Sequence, residues 1–222
     1  MKIKIPKISP KLAEEIGWHI GDGSMNYYKI NGKLIGVYQL RGHIEDDKLH
    51  YLKRIKPIFD SIYGVDIHLR DMPSTRVFGF QIWNSEIVKF KHNLGLPLGK
   101  KLNVSIPKLF LKNTKLKSAI IRGIFDTDGG IYLEKRNKKF YPRLEIRTIS
   151  FTLSQQLLDI LIDLGLRTTR HSELFNKDFN RHRAYVISVR GDKMFSKFMK
   201  VISLKNPKHI AKYNLFLNSK GL

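Results

Sequence analysis

Apolar residues recur at two periods along this chain, and the switches between periods fall at matching places in its two halves. Residues 11–25, KLAEEIGWHIGDGSM, are an apolar run at helical spacing that closes on Gly-Asp-Gly. Residues 116–130, LKSAIIRGIFDTDGG, are a second such run, closing on Thr-Asp-Gly. Two β-type stretches follow each run. They cover about 24–30 and 34–41, with Asn31-Gly32 between them as a hairpin signal, and about 131–136 and 141–149 around the basic tip KRNKK. A helix is predicted next in each half. Leu49, Leu52, Ile55 and Ile58–Phe59 carry it in 46–64, and Leu153, Leu157, Leu161 and Leu164 in 152–165. Gly64 and Gly165 then suit left-handed caps. Two more strands precede a last helix: VDIHLRD and RVFGFQIW before 84–94, LRTTRHSEL and HRAYVISVR before 191–203. Residues 95–114 read as the linker.

Each half is thus α-β-β-α-β-β-α, an α+β plan in which a four-stranded antiparallel sheet carries helices on one face. The expected halves are 1–105 and 106–222. The opposite sheet face is left open. In the first half Val65, Ile67 and Leu69 alternate with Asp66, His68 and Arg70; in the second, Leu144 and Ile146 alternate with Arg143, Glu145 and Arg147. Glycine inside a helix costs ~0.8–1 kcal/mol relative to alanine. Yet Gly17 and Gly21 stand four apart in the first run, and Gly123 and Thr127 in the second. Small residues at that spacing let another backbone approach. The two runs are therefore expected to pack on each other, about a pseudo-twofold axis that brings Asp22 and Asp128 together.

Charge sharpens this picture. The 222 residues carry 41 Lys+Arg against 19 Asp+Glu, a formal charge of +22, which points to a polyanionic partner. With 42% hydrophobic residues the chain can bury a sizeable core. No segment approaches 18 uncharged apolar residues, so no membrane role is expected. The absence of cysteine excludes disulfides, thiolate metal sites and cysteine nucleophiles. The start, MKIKIPKISPK, lacks an apolar signal core, so an intracellular protein of cytoplasm or nucleoid is expected. Met1 and Lys220-Gly221-Leu222 lack splicing-type residues, which disfavours an intein origin.

A carboxylate at a helix C-terminus is disfavoured by ~0.3–1 kcal/mol, because the unpaired carbonyls there are already negative. Two such acids among two sets of carbonyls make a patch of oxygen donors that is costly alone and favourable around a hard divalent cation, Mg²⁺ or Ca²⁺.

EIGWHIGDG (15–23) and IRGIFDTDG (121–129) resemble the paired motifs of the LAGLIDADG homing endonucleases, most closely the single-chain, two-motif type of archaeal introns. The resemblance covers almost the whole chain. It implies that Asp22 and Asp128 are the catalytic acids, and that Gly21 and Thr127 each lend a main-chain carbonyl to the metal. Mg²⁺ is the implied cofactor, with Ca²⁺ or Mn²⁺ as substitutes. Asp126 falls on a motif position that is structural. The resemblance further implies a lysine near each acid, Lys101 (over Lys100) before the Ile-Pro pair and Lys212 after Pro207. Residues that order water after the second strands would be His43 and Ser150. The family's glutamine is missing at both places.

The implied activity is metal-dependent hydrolysis of both strands of a long DNA site, leaving 3′ overhangs and supporting intron homing. The sheets would lie in the major groove, with His68, Arg70, Arg143, Arg147 and Arg170 reading bases. Lys135, Arg136, Lys138 and Lys139 at the hairpin tip, and the loop Arg181–Arg183, would hold phosphates. About eight neutralised phosphates would cost ~10³–10⁵-fold in affinity between 50 and 200 mM salt. A monomer acting on double-stranded DNA is expected, and a part played by intron RNA stays open. The alternatives are a non-catalytic nucleic-acid binder of the same fold (intron maturase or DNA-binding regulator) and a basic ribosome-associated protein. The second has no use for matched acids at helix ends.

Overall fold

The computed structural model describes residues 2–136, 139–173 and 183–221. The first half runs α1 (Pro10–Gly21), β1 (Gly23–Ile30), β2 (Lys33–His43), α2 (Lys48–His50), a π-helical turn (Tyr51–Ile55), α3 (Lys56–Tyr63), β3 (Arg70–Met72), β4 (Val77–Trp83) and α4 (Ser85–Asn93). The second runs α5 (Thr114–Asp128), β5 (Gly129–Arg136), β6 (Lys139–Thr148), α6 (Phe151–Asp163), β7 (Thr168–Glu173), β8 (Ala184–Arg190), α7 (Asp192–Ile202) and α8 (Pro207–Asn218). Both sheets are antiparallel and repeat one strand order, β1-β2-β4-β3 and β5-β6-β8-β7.

The motif helices start where side-chain caps place them. Ser9 accepts from the Leu12 amide ahead of Pro10, and Asn113 accepts from the Leu116 amide. The two helices then cross small face to small face. A Cβ on Gly17 would stand 2.4 Å from the Ile120 carbonyl oxygen and 2.8 Å from Gly123 Cα. Four residues on in both, a Cβ on Gly21 would stand 2.0 Å from Thr127 Oγ1. Gly17 faces Gly123 and Gly21 faces Thr127, so the helices run in the same sense and their C-terminal ends meet. Glu14 of α1 holds the pair from the side. It binds Arg54 through two hydrogen bonds of 2.8 Å and Arg122 of α5 at 3.0 Å.

Under the first sheet Tyr38, Phe59, Phe80 and Tyr63 pack ring on ring. A charge pair lies inside this cluster. Lys91 and Glu15 are ion-paired and fully buried, the ammonium sits 4.5 Å from the Tyr38 ring centre, and Tyr38 and Tyr63 hydroxyls donate to Glu15 at 3.3 and 3.0 Å.

Three elements differ from the sequence expectation. Val65 and Ile67 are buried as the alternation required, but only Arg70–Met72 joins the ladder, so His68 lies outside any strand. In the following-helix region Leu49 and Leu52 are exposed while His50 and Tyr51 are buried. The π-turn supplies the reason: one added residue rotates a helix by about 100° and rephases its inner stripe. Finally, α8 extends the second half beyond the α-β-β-α-β-β-α plan. Asn206 caps it and Pro207 opens it.

Candidate active site

Asp22 caps the C-terminus of α1 and Asp128 is the last residue of α5. The helix crossing brings them together: the Cβ position on Gly21 is 3.3 Å from Asp128 Cγ. Burial pushes the Asp22 carboxyl up to about 8, with the charges of Asp128 and Asp47 adding to it and Lys208 and Lys101 opposing it. Asp128 opens onto solvent, yet crowding by the surrounding protein also pushes its carboxyl up against the pull of Lys101 and Lys208. A cavity of ≈ 370 Å³ reaches this point, lined in part by Gly21, Lys101, Asp128, Arg147 and Thr148.

Lys101 lies on the end of α1. Its ammonium donates to the carbonyls of His19 at 3.3 Å, Ile20 at 2.9 Å and Gly21. Thr127 turns its hydroxyl inward, to the Gly123 and Ile124 carbonyls. Tyr51, set by the π-turn, aims its hydroxyl at Asp22 Oδ2 over 3.4 Å. Asp126 is buried, and burial pushes its carboxyl up to about 7. That carboxylate accepts from the amides of Lys205 and Asn206 and so ties α5 to the start of α8.

The structure does not bring Lys212 to the acids as it brings Lys101. Lys212 donates to the Ile131 carbonyl at 2.8 Å. Lys208, about one turn earlier on α8, joins Lys101 in acting on both acids and is held 2.7 Å from Asp47 Oδ1. Asn206 donates to the same Asp47 oxygen at 2.7 Å and to the Asp126 carbonyl at 2.8 Å, spanning the two halves. Sequence pattern alone does not single out Asp47, Tyr51, Asn206 or Lys208. The Asn-Pro helix signal at 206–207 was the available clue to α8, whereas nothing local marks Asp47 or Tyr51. The buried Ser150 hydroxyl donates to the Val104 carbonyl and caps α6. His43 lies beside Asp46 at 3.5 Å, away from the acids' hydrogen bonds.

Among the described residues no group of three or more His, Cys, Asp or Glu side chains assembles. The donors are hard oxygens: two mutually repelling carboxylates and main-chain carbonyls. That set fits a divalent cation of the Mg²⁺ class, which completes its shell with water and phosphate.

The open sheet faces differ in chemistry. On the first, strand register places Gln39 opposite Gln81, with Arg41 and Arg70 both opposite Gly79. Arg41 donates to Gln81 at 2.9 Å and Gln39 to Ser24 at 2.8 Å. On the second, Arg143 and Arg147 are already paired with acids. Arg143 lies 3.3 Å from both Glu134 and Glu145, and Arg147 lies 2.7 Å from Glu173. Glu145, 6% exposed, also accepts from Ser188 at 3.0 Å and lies 3.8 Å from Arg190. Arg170 is not on this face. It pairs in register with Ile187 and packs against α6, over the Phe151 ring at 4.9 Å and near Ser154 at 3.3 Å. His68 and Arg183 are exposed, Lys135 and Lys139 belong to the β5–β6 hairpin, and Arg136 ends β5. Lys138 and Arg181 lie outside the described residues.

Two sheets of identical strand order, hung from helices that end in facing carboxylates, define the LAGLIDADG homing-endonuclease fold in its single-chain, two-motif form. Residues 115–203 match the model of the LAGLIDADG-like domain family. Among solved structures, the crystal structure of I-DmoI in complex with DNA and Ca superposes with a TM-score of 0.64 at 19% identity, over 92% of this chain and 97% of that one. The homing endonuclease I-GzeII, in complex with its DNA target, gives 0.55 at 12% identity over 97% and 89%. A curated relative, the isomerizing glutamine–fructose-6-phosphate aminotransferase of Methanocaldococcus jannaschii, is 23% identical over 99% of this chain. The match spans 19% of that protein's length, so its aminotransferase activity does not carry over.

Proposed function

We propose that this chain is a site-specific DNA endonuclease that breaks both strands of a long target by divalent-metal-dependent hydrolysis and so supports intron homing inside the cell. The observation that carries the reading is the meeting of Asp22 and Asp128 where α1 and α5 end, with the Asp22 carboxyl pushed up by burial and by the charge of Asp128. Asp22, Asp128 and the Gly21 carbonyl would hold the cation. When bound, Mg²⁺ supplies Lewis-acid stabilisation of a phosphoryl oxygen and a water made acidic at neutral pH.

The chain's own residues do the rest. Lys101 and Lys208 offset negative charge beside the acids. Tyr51 orients the Asp22 carboxylate. Gln39, Arg41, Gln81 and Arg70 on one open face, and Arg143 and Arg147 on the other, offer donors to base edges in the major groove. The I-DmoI and I-GzeII structures, which share this fold, are complexes with DNA, which supports a duplex partner here.

The test is a plasmid library with a randomised insert, incubated with protein and Mg²⁺, Mn²⁺, Ca²⁺ or EDTA. Linearised plasmids enriched in one sequence are expected with Mg²⁺ or Mn²⁺. Asp22→Asn and Asp128→Asn should abolish cutting and retain duplex binding. Cutting that survives either substitution would overturn the assignment of the acids.

A further inference from the structure

The end of the second sheet farthest from the acids holds a cavity of ≈ 290 Å³, lined by Arg143, Arg167 and Arg190 together with Glu134 and Tyr141. Its place follows from the register. Gly129 and Ala184 mark the end nearest Asp128, while the Arg143–Arg190 pair and Thr168 mark the other. The three guanidinium groups are not equally committed. Arg143 is held by Glu134 and Glu145 and stacks 5.1 Å from the Tyr132 ring. Arg190 is 59% exposed and only loosely near Glu145 at 3.8 Å. Arg167 is exposed, and among the described residues its guanidinium has no partner; its main-chain N–H alone is engaged, by Met194 sulfur at 3.3 Å.

Glu134 and Glu145 offset two of the three guanidinium charges, with Arg143 the closely paired one, so the hollow keeps an excess of positive charge, centred on Arg167 and Arg190, that favours an entering anion. A guanidinium fork fits phosphate oxygens. Arg167 precedes the edge strand, beyond the ladder where base-reading side chains project, and contacts of that kind fall on the DNA backbone. We propose that this cavity seats a backbone phosphate of the bound duplex, engaged by Arg167 and Arg190. It is a second anchor that fixes the register of DNA on the second sheet at a distance from the cleavage site. The assignment rests on the duplex partner proposed above. The same chemistry would accept a free phosphate, and the experiment separates the two.

Binding of the full chain to random-sequence duplexes would be measured in EDTA from 50 to 200 mM salt, so that cleavage plays no part. One neutralised phosphate adds about 0.9 to the salt slope, so wild type should lose about 3.5-fold more affinity over that range than Arg167→Gln/Arg190→Gln. The loss should be equal across unrelated sequences. Arg167→Gln alone, at a side chain with no hydrogen-bond or ion-pair partner among the described residues, should remove about half of the slope change with an unaltered melting temperature. An unchanged slope with binding intact overturns the site and leaves the nuclease reading standing. A loss confined to some sequences overturns the phosphate assignment, because the arginines would then read bases. Stabilisation of wild type but not the variant by millimolar inorganic phosphate, with unchanged slopes, assigns the cavity to a free anion and overturns the duplex as ligand. Absence of any duplex binding at 50 mM salt overturns both readings.

Discussion

Gly123→Ala isolates the helix crossing on which the site depends. The added Cβ would stand 2.1 Å from the Glu14 carbonyl oxygen, 2.9 Å from Gly17 Cα and 3.0 Å from the Glu14 carbonyl carbon. All three are main-chain atoms of α1, so no side chain can swing aside. Restoring an ordinary separation near 3.5 Å requires the helices to part by on the order of 1 Å. Alanine gains ~1 kcal/mol of helix propensity over glycine. Overpacking costs ~1–3 kcal/mol, and a fixed backbone on the far side places this position at the upper end, so a net loss of about 1–2 kcal/mol is expected. Activity should fall further, since a displacement of about 1 Å between catalytic groups can cost ~10²-fold. Urea unfolding gives the first quantity and initial rates on the selected target give the second. An alanine variant as stable and active as wild type would show that α1 and α5 do not meet as described.

Lys91→Met leaves Glu15 charged and buried without its partner, and should cost ~3–5 kcal/mol in urea melts. Adding Glu15→Gln, which keeps an acceptor for Tyr38 and Tyr63, should recover part of it; a single variant within 1 kcal/mol of wild type refutes the pairing. Burial lowers His50 to about 4, so the unfolded chain binds the extra proton first, and stability is lost as pH falls from about 6.5 through 4. His50→Phe should lessen that acid loss by about 2–3 kcal/mol, read from melts between pH 7 and 4; an unchanged acid limb counts against it. Asn206→Ala removes the α8 cap and two buried hydrogen bonds, to Asp47 and Asp126, and should cost about 2–4 kcal/mol in the same assay. A loss under 1 kcal/mol would mean that the two halves are not tied there.

The duplicated architecture was legible because both periods survive in the sequence, and the register of β2, β4, β6 and β8 follows their apolar faces. Asp22 and Asp128 were legible as helix ends with small residues one turn before. Arg170 was assigned to the open face because strand alternation fixes a side only where one face is apolar. Thr168–Glu173 is polar on both sides, so its phase is set by Phe151 and Tyr185, far off in sequence. Asp47, Asn206 and Lys208 escaped for a related reason. They meet only after both halves fold, and no local period links residues so far apart. Tyr51 depends on a π-turn, which adds a residue without any composition of its own.

Glu145 has a bearing on how such a molecule changes over generations. It serves Arg143, Ser188 and Arg190 together, whereas Gln39 and Gln81 on the other sheet are uncharged and bonded to one neighbour apiece. Replacing Gln39 strands no ion, so that position of the first sheet can change by an independent step, whereas Gln81 also serves Arg41. Replacing Arg143 leaves the buried Glu145 carboxylate with Ser188 and a more distant Arg190, so an exchange there favours a compensating change at Glu145, and on the proposed reading retargeting on that side proceeds by linked substitutions.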